Sequence, residues 1–173
     1  MEVYLVRHTE TVCEKGVCYG QSDVAIAEPY LPIFENIKQQ LPADAVYYSS
    51  PLVRCKMLAS YISKEVIIDA RLMEMNFGDW ELKRWDEIPE GDLNPWMSDF
   101  VCTNVPNGES FIELHDRVID FLESQLTIEK SKPIVIIAHS GVIRSILCKQ
   151  NNTPLKDAFS SKLDFGSVTK IDW

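Results

Sequence analysis

Two of the chain's three histidines, His8 and His139, stand directly after short apolar runs. His8 closes VYLVRH with Arg7 beside it, and His139 closes IVIIAH and is followed by Ser140-Gly141. A third run, AVYYSS, leads into Ser50-Pro51, with Arg54 one helical turn on. A neutral imidazole is a competent nucleophile near neutral pH, and guanidinium forks match the oxygens of a phosphoryl group. Phosphoryl transfer asks for little else beyond positioning and charge stabilisation. Backbone N–H groups in the helical turns after Ser50-Pro51 and Ser140-Gly141 would add to the same anion site. Such a reaction also needs a carboxylic acid, to protonate the leaving oxygen and later to take a proton from water. Composition alone does not select it from 26 acidic residues. The third histidine, His115, lies in an amphipathic stretch near Glu113 and Asp116 and reads as a boundary residue.

The elements that must position these groups follow from pattern. Runs rich in β-branched and aromatic residues predict strands at about Val3 to Val6, Ala45 to Tyr48, Val66 to Ile68, Ile134 to Ala138 and Val168 to Trp173. Ser50-Pro51 reads as a helix cap and first helical position leading into LVRCKMLASYIS. Phe111, Leu114, Val118, Phe121 and Leu122 recur at spacings of three and four and draw one helical stripe, and a further helix is expected just after Ser140-Gly141. Strands alternating with helices predict an α/β three-layer sandwich with a mostly parallel central sheet flanked by helices. Ligands of such sheets bind beyond the carboxyl ends of the strands, where His8 and His139 stand. Asn76 to Gly108, with Trp80, Trp85 and Trp96, reads as an irregular, partly helical excursion over the sheet, either a cap that stacks on an aromatic ligand or a cover for the core.

Length and charge narrow the classes. At 173 residues the chain is expected to form one domain over 1–173. A formal charge of -9 excludes the basic footprint of a general nucleic-acid binder and disfavours anionic membrane surfaces. Cysteines 13, 18, 55, 102 and 148 form neither a CxxC pair nor a zinc-ligand spacing, so reduced thiols are expected. No secretory signal or membrane-length apolar run is apparent, and a cytoplasmic location is the expectation. Neither HExxH nor GxGxxG is present, so neither a metal nor a dinucleotide cofactor is expected.

LVRHTET, YYSSPLVRCKMLA, RLMEMNFGDWE and IIAHSGVIR, in that order, resemble the motifs of the histidine phosphatase superfamily, also called phosphoglycerate mutase-like. The resemblance spans most of the chain and implies that fold and a phosphatase activity through a phosphohistidine on His8. It further implies that Arg7, Arg54 and His139 clamp the phosphoryl group and that Glu74 is the general acid and base. Thr11, Gln21 and Ser140 are carried with it as substrate contacts. GVCYGQSDVAIA and VPNGESFIELHDRV resemble segments of α-ribazole phosphatases, which implies a small phosphomonoester, α-ribazole 5′-phosphate, as the partner. The chain departs from the pattern at Thr9 and Leu82, where glycine is usual, and at Glu14, where many mutases carry asparagine. Same-fold alternatives are a phosphoglycerate mutase, a broad-specificity phosphatase and a protein phosphohistidine phosphatase. Those from other classes are a metallohydrolase and a catalytically inactive regulatory domain.

Overall fold

In a computed structural model that describes residues 1–125 and 132–173, the strand Ile134–Ala138 (β4) divides the interior in two. Ile134, Ile136 and Ala138 join one buried apolar cluster, and Val135 and Ile137 join another. This is the period-two partition of a strand covered on both faces. On the first side lie helices α4 (Phe111–Gln125) and α5 (Ser140–Asn151), and the expected stripe from Phe111 to Leu122 is fully buried. On the other lie α1 (Leu31–Gln39) and α2 (Val53–Ile62), which contribute Phe34, Ile37, Cys55 and Leu58. The result is the expected three-layer α/β sandwich.

The remaining strands are β1 (Glu2–Arg7), β2 (Val46–Ser49), β3 (Ile67–Ile68) and β5 (Val168–Asp172), and the sheet order is β3-β2-β4-β1-β5. All pairings are parallel except that of β5 with β1. Register then does the decisive work. Arg7 pairs with Ala138 and Ser49 with Ile137, so β1, β4 and β2 end at one level. The His8 N–H donates to Ala138 O at 3.1 Å, and the Ser50 N–H to Ile137 O at 3.0 Å. His8, His139 and Ser50 therefore leave the sheet side by side.

Local structure departs from the sequence expectations in three places. Helix α2 starts at Val53 with Leu52 at its cap, so Pro51 is not its first helical residue. Ser50 is instead held by the sheet, and its hydroxyl accepts from the Leu52 N–H at 3.3 Å. Helix α5 begins at Ser140 rather than after Gly141, with His139 itself as the cap residue. Helix α1 is not legible from spacing, because only Phe34 and Ile37 of its residues are buried.

Segment 76–108 contains 3₁₀ turns at Gly78–Trp80 and Trp85–Glu87 and helix α3 (Glu90–Ser98). Its aromatic rings form a web: Trp80 meets Trp96 edge-on at 5.6 Å, and Trp85 stacks on Trp96 at 5.7 Å. Leu82, where the family pattern has glycine, takes φ 64°, a left-handed conformation that explains why glycine is usual there. All five cysteines are free, and among the described residues no helix is long and apolar enough to cross a membrane.

Trp80 is only 2% exposed and anchors the web to the core. Trp80→Ala is expected to cost about 3–5 kcal/mol in urea unfolding, the range for large-to-small core changes. A loss below about 1 kcal/mol would show that the segment packs without it.

Candidate active site

His8 is 3% exposed, and its Nδ1 lies 2.8 Å from the carbonyl oxygen of Thr9. A carbonyl only accepts, so Nδ1 carries the proton and the Nε2 lone pair is left without a protein partner among the described residues. Burial, then the positive charges of Arg54 and Arg7, push the imidazole down to about 3, so it is neutral at physiological pH.

The second imidazole stands close by, with ring centres 5.1 Å apart. His139 is fully buried, and burial together with His8 and the Arg54 guanidinium holds it well below its ordinary range. The Arg54 Nε–H donates to its Nδ1 at 3.2 Å, which fixes the other tautomer here. Nε2 bears the proton and donates to Ser50 Oγ at 2.7 Å. Arg54 is itself fully buried. Nη1 donates to Ser22 O at 2.9 Å, Nη2 donates to Gly20 O, and a guanidinium has N–H groups left over for an anion. Cys55 Sγ lies 3.5 Å from His139 Nε2, and burial pushes its thiol up, so it stays protonated.

Arg7 donates through Nη1 to Leu163 O and lies over the Phe165 ring, 3.8 Å from its centre. Its Nε–H is buried without a partner, as is the hydroxyl of Thr9. Unsatisfied polar atoms concentrated at the end of β1 destabilise the fold and mark a place kept for another purpose.

Glu74 is fixed from several directions. Its Oε1 accepts the Met75 N–H at 2.9 Å, and its Oε2 accepts the Gly141 N–H at 3.1 Å, in the first turn of α5. Gly141 makes this approach possible, since a Cβ there would sit 2.3 Å from Oε1. Behind it, the Arg117 guanidinium donates to the carbonyls of Arg71, Met73 and Glu74 at 2.6, 2.7 and 3.0 Å. Glu109 grips the same guanidinium at 2.8 and 2.9 Å. Arg117 thus locks the backbone from which Glu74 projects.

The expected substrate contacts divide. Ser140 lies beside Gly141, and its Oγ accepts from Arg144 Nε at 3.0 Å. Gln21 donates from Nε2 to Glu74 O at 3.1 Å, which ties the 20–22 loop to the carboxylate segment. Thr11 donates its hydroxyl to Tyr19 at 3.0 Å, and the Tyr19 ring lies 5.3 Å from the Arg54 guanidinium, so among the described residues Thr11 reaches the cluster only through Tyr19. Sequence reasoning overlooks Glu81, whose carboxylate accepts from the backbone N–H groups of Gly20, Gln21, Ser22 and Phe77. Those bonds hold Glu81 below the usual carboxylate range against its partial burial. They also shape the loop whose carbonyls receive Arg54. Nothing in the FGDWE segment signals such a role, because all but one of the residues it binds lie about 60 residues away.

Glu74, Ser140 and Gly141 border a recess of about 170 Å³. Its other walls are Met75 and the rings of Phe77, Trp85, Trp96, Phe100, Phe111 and Phe159. Among the described residues no cluster of three or more His, Cys, Asp or Glu side chains is placed to hold a metal ion.

A family model described as the histidine phosphatase superfamily (branch 1) matches residues 3–173. The metal-independent phosphoserine phosphatase of Arabidopsis thaliana is 32% identical over 158 residues, covering 84% of this chain and 66% of that protein. The adenosylcobalamin/α-ribazole phosphatase of Escherichia coli K12 is 24% identical over 99% of this chain and 90% of its own length. The crystal structure of the α-ribazole phosphatase from Shigella flexneri superposes with a TM-score of 0.89 at 24% identity, covering 99% of this chain and 90% of that one. With the family model spanning nearly its whole length, and with the fold expected of that family, this chain belongs to the histidine phosphatase superfamily.

Proposed function

We propose that the chain hydrolyses phosphomonoesters in two steps through a phosphohistidine at Nε2 of His8, without a metal ion. The observation that carries the reading is the His8 Nδ1–Thr9 O contact at 2.8 Å, which leaves a neutral imidazole with one free lone pair next to two arginines. In the first step Nε2 attacks phosphorus, the P–O bond to the alcohol breaks, and protonated Glu74 gives its proton to the departing oxygen. In the second, the Glu74 carboxylate takes a proton from water as the water oxygen attacks phosphorus, and phosphate leaves with His8 restored. Arg7 and the unused N–H groups of Arg54 stabilise the equatorial oxygens. The His139 Nε2–H, now given to Ser50, is the further donor that can turn to a phosphoryl oxygen.

Single-domain organisation, with 76–108 as a cap beside the site, belongs to the same reading, as does a cytoplasmic location. α-Ribazole 5′-phosphate is the substrate we favour, supported by likeness to proteins named for it and by the aromatic recess beside Glu74.

Rapid quench with ³²P-labelled substrate is expected to trap an acid-labile phosphoenzyme in the wild type and none in His8→Ala, with turnover surviving exhaustive chelation. Phosphoenzyme persisting in His8→Ala would overturn the nucleophile assignment. In Gly141→Ala the added Cβ displaces the Glu74 carboxylate, and single-turnover phosphoenzyme formation is expected to slow by about 100-fold, the scale of a misplaced catalytic group. An unchanged rate would remove Glu74 from the acid role.

The neutral histidines also set a pH dependence. Below about pH 6.5 the unfolded chain binds protons at His8 that the folded chain refuses until about pH 3. Stability is therefore complete above pH 6.5 and falls as the pH drops through that window, by up to about 1.4 kcal/mol per pH unit for His8. Urea unfolding at pH 5.5 and 4.5 is expected to give a shallower fall for His8→Asn than for the wild type. Equal slopes would mean that His8 is charged in the folded state.

A further inference from the structure

The recess beside Glu74 carries more than the phosphatase reading, on which this inference rests. Glu74 is the group that must reach the leaving oxygen, so whatever is bonded to that oxygen lies next to Glu74. There the structure offers almost only carbon. Phe77, Trp85, Trp96, Phe100 and Phe159 wall the space, and among the described residues no Lys, Arg or His borders it. The Trp96 indole N–H is buried within the protein and offers nothing at the surface. The nearest arginines on this side are already engaged. Arg117 is gripped by Glu109 and by backbone carbonyls, and Arg144 by Ser140, Ala158 and Ser161. A carboxylate on the alcohol would lie among rings, with the nearby Arg144 guanidinium already given to Ser140, Ala158 and Ser161; an uncharged aromatic group would be desolvated at no such cost.

We propose that this recess is the leaving-alcohol site and that it takes an uncharged group presenting about one or two aromatic rings, selecting against the carboxylated esters phosphoserine and phosphoglycerate. About 170 Å³ is small beside the roughly 300–1,000 Å³ of drug-sized pockets, which sets the limit on size. The walls are pre-formed, since Trp85 and Trp96 are already stacked and Phe77 meets Trp85 edge-on at 5.7 Å. Phe159 is the exposed member of the wall, at 54%. Its ring also meets Phe100 at 5.3 Å and Phe111 at 5.5 Å and lies 5.0 Å from the Arg144 guanidinium.

The test compares esters whose alcohols leave with similar ease: benzyl phosphate, ethyl phosphate, O-phospho-L-serine and 3-phosphoglycerate. kcat/KM for benzyl phosphate is expected to exceed that for ethyl phosphate by about 30-fold, the scale of burying one ring, with both carboxylated esters below ethyl phosphate. Phe159→Ala is expected to shrink the benzyl-to-ethyl ratio by about fivefold. In parallel, quenching of tryptophan fluorescence by benzylphosphonate and by 2-amino-3-phosphonopropionate reads binding without turnover, and the benzyl compound is expected to bind more tightly. Preference for the carboxylated compounds in both assays overturns the recess assignment and leaves the phosphatase reading standing. Turnover of none of the esters, with benzylphosphonate still the tighter ligand, overturns the phosphatase reading and supports the recess.

Discussion

Arg54 carries a full positive charge with no exposure to water, and much of the site is arranged around that constraint. A buried charge is tolerated only when its donors are met, so the carbonyls of Gly20 and Ser22 and the His139 Nδ1 lone pair surround the guanidinium. Accepting from Arg54 forces His139 to be neutral and fixes its tautomer. The same field, with Arg7 added and with burial as the larger cause, keeps His8 neutral as well. Glu81 gathers the backbone N–H groups of the loop that supplies those carbonyls, so it acts on the site from behind. Two imidazoles kept unprotonated beside two permanent cations form a corner poised to receive an anion.

The carboxylate side is built by a separate device. Arg117 and Glu109, joined as a bidentate pair, clamp the backbone around Glu74, while the first turn of α5 takes its oxygen through the Gly141 N–H. Strand register settles how the halves meet. Because β1 and β4 are parallel neighbours with Arg7 opposite Ala138, the cluster cannot drift without shifting the sheet. Rigid elements thus carry the proposed nucleophile and clamp, and a pinned loop carries the proposed acid.

Much of this was legible in the sequence for a definite reason. Continuous apolar strands identify a two-sided sheet, and the residues just after each strand must then lie along its carboxyl edge. His8 and His139 were found that way. What stayed hidden depends on contacts between distant residues. Glu81 meets the Gly20–Ser22 backbone, and Arg117 meets carbonyls more than 40 residues away, with no local spacing to announce either. Helix α1 escaped because a short helix needing only Phe34 and Ile37 to dock has no periodic stripe. The cap geometry before α2 is hidden from the sequence for a related reason: the sheet and His139 claim Ser50 more strongly than the helix does. The acidic balance of the chain says little about the site, since the few cations needed are drawn together by the fold.

The site turns on the protonation state and tautomer of His8, and long-range ¹⁵N–¹H correlation NMR of the imidazole at pH 7 reads both directly. The proposed mechanism requires a neutral ring with its proton on Nδ1 and a bare Nε2, unchanged down to pH 5, with that signal lost in His8→Asn. An imidazolium at pH 7, or a neutral ring protonated on Nε2, would contradict it.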